Sequence, residues 1–548
     1  MSSTRPYRAI LAFVPPASPT YAPLGLASLA PFVRSQAPGC ALELVDLNIE
    51  AWHLLAEQSD AGRALLSFMG GRSGGSFFDP AQYIVQRAAW SELAGRLARL
   101  VGRLARRYVE TGEEEPELGW LLGRLVDRLL RSDPELVGLS VVFPDQVAPA
   151  LALARRLRAE AGGVAGRSIG PRIVLGGAMM TALRVDELLQ ACDYVDAVLP
   201  GEGEHGAARL CAGDRLDRVP GLIHRDGAAL RTNPAAAVTS LRLLPAADFS
   251  DLPLSRYLNP TPVLPVIFSR GCRWRRCRFC AHSFSFSRYR RKAHAAFADE
   301  LQGYVERHGA RHFYLADQYI EAHDLEGLAL ELEGRGLQVA FHAMGRPTAG
   351  YTPELLVNLR RGGCRWISWG VESGSPRLLE LMDKGIDLVT VERVLVDAAG
   401  AGISNLVMLI FGMPTGTEQD LALTLRLVEA IHPSTDALTA SSFVLFAGTP
   451  FAARPERYGI VVGDPQTVLA PAGRVAVHSH RLAYQVIEPG GALTQPRGPA
   501  EVQDWQRRAA WLPALPFVDG LCAEHYLLYV SASAASRLRP LIPCPSAA

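Results

Sequence analysis

The sequence lacks the segments that would direct a chain into or across a membrane. Its first residues, Met-Ser-Ser-Thr-Arg-Pro, contain no apolar signal-peptide core, and no uninterrupted apolar run reaches the roughly 20 residues of a transmembrane helix. Its nine cysteines are odd in number and mostly scattered, which does not fit a disulfide framework. These absences predict a cytoplasmic protein with no membrane association.

The chain also lacks an excess of charge of either sign. Its formal net charge is +1, which argues against bulk attraction to nucleic acid or to an anionic membrane. No internal repeat or low-complexity tract stands out. With 548 residues, 49% of them hydrophobic and 20% charged, the composition predicts a globular protein of two or three domains.

Apolar runs of strand length alternate with helical patterns through residues 1–214, which predicts an α/β domain with a doubly wound, Rossmann-like parallel sheet. Residues 51–131 interrupt the alternation with Leu, Ala and Arg at helical spacing, and are interpreted as a helical insertion. The predicted strands are 8–14, 42–46, 136–142, 172–175 and 194–199, and the predicted helices are 24–34, 146–160, 183–191 and 203–211.

Small and polar residues stand where these predicted strands end. Ligands of doubly wound sheets bind outside the carboxyl ends of the strands, and glycines there let a bulky, flat ligand approach the backbone. Ordinary turns are the alternative for any one of these positions. The residues are Ser140, Gly176, Gly177, Gly201 and Glu202, with Asp145 and Gln146 in the loop 144–149.

Residues 215–262 are predicted to be a linker with a small hairpin at 221–230, and residues 263–464 form a second alternating series. Six strand–helix units predict an open, partial (βα)6 barrel with its active site at the carboxyl ends of the strands. Residues 465–548 are predicted to be a small C-terminal extension with one candidate strand at 526–530. The barrel strands are 263–268, 312–316, 339–343, 366–369, 406–411 and 437–446, with helices at 294–308, 325–334, 353–361, 388–400 and 418–430.

Three of the nine cysteines, Cys272, Cys277 and Cys280, lie in one loop directly after the first predicted barrel strand. Three thiolates on a short loop can bind three irons of a cubane iron–sulfur cluster and leave the fourth iron open for chemistry. A structural zinc site usually has two separated cysteine pairs, and the other six cysteines form none. The alternative is a zinc knuckle completed by His282.

Taken in order, these motifs resemble the cobalamin-binding branch of the radical S-adenosylmethionine (SAM) enzymes, over roughly residues 8–460. Two features depart from the family pattern. Four residues, rather than three, separate Cys272 from Cys277, and the loop 144–149 has no histidine to ligate cobalt, which implies base-off cobalamin. The motifs are the cysteine loop, Pro23–Ala30, Val174–Gly177, Gly201–Glu204, Pro220–Leu222, Gly370–Ser375 and Phe411–Glu418.

The resemblance implies three cofactors and a role for individual residues. The three cysteines would hold a 4Fe–4S cluster whose open iron chelates SAM, and the seven residues at the ends of the N-terminal strands would contact cobalamin. Packing or surface ion pairing is the alternative for each SAM residue. The SAM contacts would be Phe279 and Gly412 to adenine, Glu372 with neighbouring Ser373 to ribose, Asp317 to the ammonium group, and Arg346 or Lys384 to the carboxylate.

The implied activity is reductive cleavage of SAM to a 5′-deoxyadenosyl radical, followed by methylation of an unactivated carbon in a natural-product or peptide substrate. The methyl group would come from methylcobalamin, and a flavodoxin- or ferredoxin-like protein would supply electrons. The alternatives are a cobalamin-using oxidoreductase, cyclase or mutase, and a non-catalytic cobalamin and cluster sensor. A tRNA methylthiotransferase is disfavoured because no upstream three-cysteine cluster and no basic terminal module are present.

Residues 273–292 hold eight cations and no acid, with aromatic residues between them. They could form a basic rim that recognises an anionic substrate, or a solvated face paired with acids from elsewhere, which is the commoner case. In the C-terminal extension, His478, His480 and Tyr526 are candidate acid–base groups, although isolated polar residues are more often structural.

Overall fold

The structure is a computed structural model, and it describes residues 5–70, 77–162, 170–282, 286, 288–488, 490–509 and 522–532. The chain folds into two compact units. The first consists of residues 1–77, 82–261 and 467–480, and the second of residues 78–81, 262–466 and 481–548.

The first unit is built on a seven-stranded sheet in the order β2-β1-β3-β4-β5-β6-β7. The first five strands run parallel, and β6 and β7 extend the edge as an antiparallel hairpin. The strands are β1 (Tyr7–Phe13), β2 (Cys40–Asp46), β3 (Leu136–Ser140), β4 (Arg172–Gly176), β5 (Ala197–Leu199), β6 (Ile223–Asp226) and β7 (Ala229–Thr232).

Between β2 and β3 the described chain is almost entirely helical, because leucines at a spacing of three or four residues give its helices apolar faces. In α6, for example, Leu118, Leu122, Leu125 and Leu129 are all buried. The helices from Leu24 to Cys211, of which α2 to α6 lie between β2 and β3, are α1 (Leu24–Gln36), α2 (Leu47–Ala56), α3 (Asp60–Met69), α4 (Pro80–Ala98), a π-helical turn (Arg99–Leu104), α5 (Ala105–Thr111), α6 (Pro116–Leu130), α7 (Val147–Gly162), α8 (Val185–Ala191) and α9 (Glu204–Cys211).

The second unit contains a six-stranded, fully parallel sheet in the order β15-β14-β13-β12-β11-β8. Neighbours in the sheet are neighbours in sequence, as in the predicted (βα)6 partial barrel. A short antiparallel pair, β9 with β10, follows the first strand. The strands are β8 (Val263–Val266), β9 (Ser269–Arg270), β10 (Arg290–Arg291), β11 (His312–Leu315), β12 (Ala340–Gly345), β13 (Cys364–Glu372), β14 (Ser404–Phe411) and β15 (Ala437–Ser442).

The helices of this sheet are α10 (His294–His308), α11 (Ala322–Gly334), α12 (Pro353–Arg361), α13 (Pro376–Met382), α14 (Leu388–Gly400) and α15 (Glu418–Ile431). The later elements are α16 (Pro450–Ala453), the three-stranded sheet of β16 (Ile460–Leu469), β17 (Val477–Ile487) and β18 (Leu493–Thr494), and the helices α17 (Gly498–Ala509) and α18 (Ala523–Ser531). Among the described helices, none is long and apolar enough to cross a membrane.

The candidate strand at 526–530 is wrong, because these residues belong to α18. The side chains of Tyr526, Leu527, Leu528 and Tyr529 are all buried. A helix that is buried on every side shows no amphipathic period, so its sequence reads as a short apolar run. The Tyr526 hydroxyl lies 2.6 Å from Ser404 Oγ, and its ring packs edge-on against Trp366.

Candidate active site

The cysteine loop follows β8 and β9 and is fixed to the barrel by a buried carboxylate. Asp317, just after β11, accepts hydrogen bonds from the backbone N–H groups of Phe268 and Ser269 and from the Ser269 hydroxyl. Burial raises the pKa of Asp317 to about 6, against the opposing effect of these donors. The predicted contact of Asp317 with the SAM ammonium stays a prediction, and its oxygens are already engaged in holding the start of the loop.

Cys272, Cys277 and Cys280 are free thiols, all partly buried. Burial raises the pKa of Cys277 to about 11 and also raises that of Cys280, so a metal that binds them must displace protons. In the part of the chain that the structure describes, no group of three or more His, Cys, Asp or Glu is arranged to hold a single metal ion. The cysteines of a cubane cluster lie farther apart than the ligands of a single metal ion, because each cysteine binds a different iron.

The loop lies against the turn that ends α13. The backbone N–H of Arg278 donates to the Met382 carbonyl at 2.9 Å, and the indole N–H of Trp274 donates to the Asp383 carbonyl at 2.9 Å. Arg276 forms an ion pair with Asp383 at 3.1 Å. Asp383 and Gly385 both have left-handed backbone conformations, and the missing side chain at Gly385 leaves the space that the Trp274 ring occupies.

Glu372 and Lys384 form a buried ion pair beside this turn, with 2.6 Å between Oε1 and Nζ. Glu372 ends β13 at a register shift with φ of +68°, a strained conformation of the kind that clusters at functional sites. Burial alone would lower the pKa of Lys384, but Glu372 and the thiols of Cys277 and Cys280 outweigh it, so the pKa is raised. The lysine cation is therefore paired with a carboxylate and is further favoured by the electrostatic influence of two of the three cysteines.

Gly370 provides the space for this pair. A Cβ at position 370 would lie 2.7 Å from Lys384 Nζ and 2.9 Å from Glu372 Oε1, so no larger residue fits without displacing one of them. The sequence analysis includes Gly370 only as part of a motif and gives it no role. Its steric role depends on Lys384, which lies in the turn after α13.

The structure places the remaining predicted SAM residues around the same strand ends. The guanidinium carbon of Arg346 lies 3.8 Å from the centre of the Trp274 ring, and Arg346 Nη1 donates to the Lys384 carbonyl. Phe279 packs against the apolar cluster that contains Leu379 and Met382, which agrees with its packing alternative. Ser373 accepts from the backbone N–H of Ser375 and so orders the loop after Glu372. Contacts of these residues with SAM remain predictions.

Gly412 contacts the C-terminal helix α17. Its φ is +70°, and a Cβ at this position would overlap the backbone of Gly498 at the start of α17. Its N–H donates to Glu501 Oε2 at 2.8 Å. The sequence predicts that adenine lies close to the backbone of Gly412, whereas in this structure the start of α17 lies there.

Four of the eight cations in the basic stretch 273–292 form ion pairs with acids from other elements, which favours its alternative reading. Asp383 binds Arg276 and Arg278, and Asp324 binds Arg291 through Nε at 2.9 Å. Lys292 binds Glu300 at 2.6 Å. Phe284, one of the interleaved aromatic residues, lies outside the described residues.

In the first unit, the predicted cobalamin residues gather at one edge of the sheet. Ser140 is paired with Gly176, and Gly176 with Leu199, so three strand ends lie side by side. A Cβ at Gly177, where φ is +97°, would overlap the Val141 carbonyl. Gly201, where φ is +79°, and the adjacent Glu202 follow the end of β5, and nothing lies within 4 Å of a Cβ built at Gly201.

Gln146 and Asp145 differ in their surroundings although they are neighbours. Gln146 is buried, and its Oε1 accepts from the backbone N–H groups of Val142 and Phe143 at 2.7 and 3.0 Å. Its Nε2 donates to the Val14 carbonyl at 2.5 Å, so it ties together the loops after β1 and β3. Asp145 is exposed. The edge is thus open, rich in glycine and held by an amide, which fits a large flat ligand without a protein imidazole.

The candidate acid–base residues of the C-terminal extension have structural surroundings. His478 Nδ1 lies 2.9 Å from Glu187 Oε2. The backbone N–H of His480 donates to Ala182. Tyr526 is fully buried, which raises its pKa far above the ordinary value. The structural reading of these lone polar residues is therefore the better one.

Comparisons with known proteins agree with this geometry. Residues 266–428 match the model of the Radical SAM superfamily. An uncharacterized methyltransferase of Pyrococcus horikoshii is 25% identical over 268 residues, which cover 47% of this chain and 58% of that relative. The chain thus matches little more than half of that relative's length.

Two solved enzymes share the fold. The cobalamin-dependent SAM radical enzyme OxsB, with aqua-cobalamin and SAM bound, superposes with a TM-score of 0.63 at 16% identity, covering 93% of this chain and 67% of OxsB. The radical SAM methyltransferase TsrM from Kitasatospora setae, with cobalamin and a 4Fe–4S cluster bound, superposes with a TM-score of 0.55 at 18% identity. This match covers 85% of this chain and 82% of TsrM. This chain therefore carries a radical SAM domain at residues 266–428 and has the fold of the cobalamin-dependent radical SAM enzymes.

Proposed function

We propose that this protein is a cobalamin-dependent radical SAM enzyme that methylates an unactivated carbon of a natural-product or peptide substrate. One observation carries the proposal. The three-cysteine loop at the end of the first barrel strand lies beside the buried Glu372–Lys384 pair at the end of the fourth. A cysteine loop and charged groups able to bind the zwitterionic amino-acid part of SAM thus lie at the same ends of the barrel strands.

The chain's own residues have separable tasks in this proposal. Cys272, Cys277 and Cys280 would hold a 4Fe–4S cluster, which supplies the electron that cleaves SAM to a 5′-deoxyadenosyl radical. Glu372 would accept hydrogen bonds from the ribose hydroxyls, and Lys384 or Arg346 would face the SAM carboxylate. Lys384 also offsets the negative charge that two cysteine thiolates would bring into a buried site.

The glycine-rich edge of the first unit would hold cobalamin, which carries the methyl group when bound. Ser140, Gly176, Gly177, Gly201, Glu202 and Asp145 would contact the corrin or its side chains, and Gln146 would set the loop that faces it. No histidine lies in the loop 144–149, so this loop supplies no imidazole to the cobalt. The enzyme would work in the cytoplasm with a flavodoxin- or ferredoxin-like electron donor.

The test is anaerobic reconstitution with iron, sulfide and cobalamin, followed by reduction in the presence of SAM. We expect both 5′-deoxyadenosine, from radical cleavage, and S-adenosylhomocysteine, from methyl donation, and we expect neither in a Cys272→Ala variant. 5′-Deoxyadenosine without S-adenosylhomocysteine would favour an oxidoreductase, cyclase or mutase. Neither product from a protein with a full cluster would contradict the proposal and favour a sensor.

A further inference from the structure

The loop that carries the three cysteines places four residues between the first two of them, and one of the four has an unusual backbone conformation. Residues 273–276 separate Cys272 from Cys277, and Arg275 has a φ of +49°. A left-handed conformation is uncommon for a residue with a side chain. The residue before Arg275 is Trp274.

The indole ring of Trp274 occupies a fitted position on the turn that follows α13. Its N–H donates to the Asp383 carbonyl at 2.9 Å. Glycine is the only residue type that this packing permits at position 385, since a Cβ there would overlap the indole ring. The guanidinium carbons of Arg346 and Arg276 lie 3.8 and 4.8 Å from the ring centre.

Trp274 contacts Arg346 and the turn that contains Lys384, and these are the two candidate cations for the SAM carboxylate. Arg346 stacks on the indole and donates through Nη1 to the carbonyls of Lys384 and Gly385 at 3.1 and 3.4 Å. Lys384 lies between the two turn residues that Trp274 contacts, and its ammonium group is fixed on Glu372. The indole thus fixes both the guanidinium of Arg346 and the backbone of Lys384.

We propose that Trp274 is a positioning residue for SAM: the longer cysteine loop places its indole between Arg346 and the turn 383–385, and this contact sets the orientation of Arg346 and Lys384. The inference rests on the proposed function, because that function assigns Arg346 or Lys384 to the SAM carboxylate. A cation–π contact between two partly buried side chains and one hydrogen bond together fix such a geometry.

The experiment compares Trp274→Ala with wild type and with Arg273→Ala, a change at an exposed residue of the same loop. Iron and sulfide content and the electron paramagnetic resonance spectrum of the reduced cluster are measured while SAM is titrated. We expect full clusters in all three proteins. Trp274→Ala should need about tenfold more SAM than the other two for the SAM-induced spectral change and for half-maximal 5′-deoxyadenosine formation.

Two further variants separate positioning from general damage. Trp274→Phe keeps an aromatic face for Arg346 and should recover most of the SAM affinity. Gly385→Ala places a methyl group where the indole lies and should reproduce the Trp274→Ala defect.

An unchanged SAM titration in Trp274→Ala would overturn the inference, as would loss of iron from that variant, since Trp274 would then serve only to hold the cluster. A wild-type protein that binds the cluster but shows no spectral response to SAM would instead overturn the proposed function.

Discussion

Glu372 and Lys384 are the residues at which stability and function conflict most directly. Both side chains are about 10% exposed, so each charge depends on the other. Glu372→Gln leaves the ammonium group buried without a counter-charge, which typically costs about 3–5 kcal/mol. We expect the midpoint of urea unfolding, measured by tryptophan fluorescence, to shift clearly to a lower urea concentration.

The double variant Glu372→Gln, Lys384→Met is the control for this prediction. It removes both charges, so most of the lost stability should return, whereas SAM affinity should not. If the double variant also bound SAM as wild type does, the pair would have a purely structural role.

Gly370 offers a test of space alone. Gly370→Ala brings a methyl group within 3 Å of both charged atoms of the pair, while its backbone, with no positive φ, suits any residue. The KM for SAM should rise about tenfold, equivalent to about 1.4 kcal/mol of lost binding. Gly400→Ala is the matched control, since nothing lies within 4 Å of a Cβ at that position. Equal KM values for the two variants would contradict the prediction.

At the scale of elements, α17 depends on one glycine of the barrel. Gly412→Ala should separate the start of α17 from the end of β14, because the new methyl group overlaps Gly498. Hydrogen exchange in residues 498–509 should become faster. Gly309→Ala has the same left-handed backbone cost without a clash, so exchange in α17 should be unchanged in that variant.

The junction of β2 and α2 should make the stability of the first unit depend on pH. Asp46 caps α2 and accepts from the Tyr257 hydroxyl, and burial raises its pKa to about 6. Because the folded pKa lies above the unfolded one, its stabilising contribution is complete below about pH 4 and is lost as the pH rises through 6. The melting temperature of Asp46→Asn minus that of wild type should therefore increase from pH 5 to pH 7. A difference independent of pH would contradict this assignment.

At the scale of the whole molecule, each unit should load its own cofactor. Cys272→Ala should abolish iron binding and leave cobalamin binding intact. Gln146→Ala frees the loops after β1 and β3, so it should weaken cobalamin binding about tenfold and leave the iron content unchanged. Absorbance of the corrin and iron analysis on the same samples decide the outcome. Loss of both cofactors in either variant would show that the two sites are not independent.

Much of the architecture could be predicted from the sequence, because strand and helix periods are local properties. The parallel sheet of the first unit, the six barrel strands and the position of the cysteine loop all follow from such patterns. The helix at Ala523–Ser531 could not be predicted, since its burial on all sides depends on the barrel strands around it.

The sequence by itself determined which residues could do chemistry: three thiols in one loop, a carboxylate after the fourth barrel strand and glycines at the strand ends. Only the tertiary structure decided what each of them touches. Asp383 forms ion pairs with two arginines of the cysteine loop, and Trp274 stacks on Arg346. The N–H of Gly412 donates to Glu501, which is 89 residues away in the sequence. These partners come from distant parts of the chain, and contact and burial, unlike periodicity, exist only after those parts are packed together.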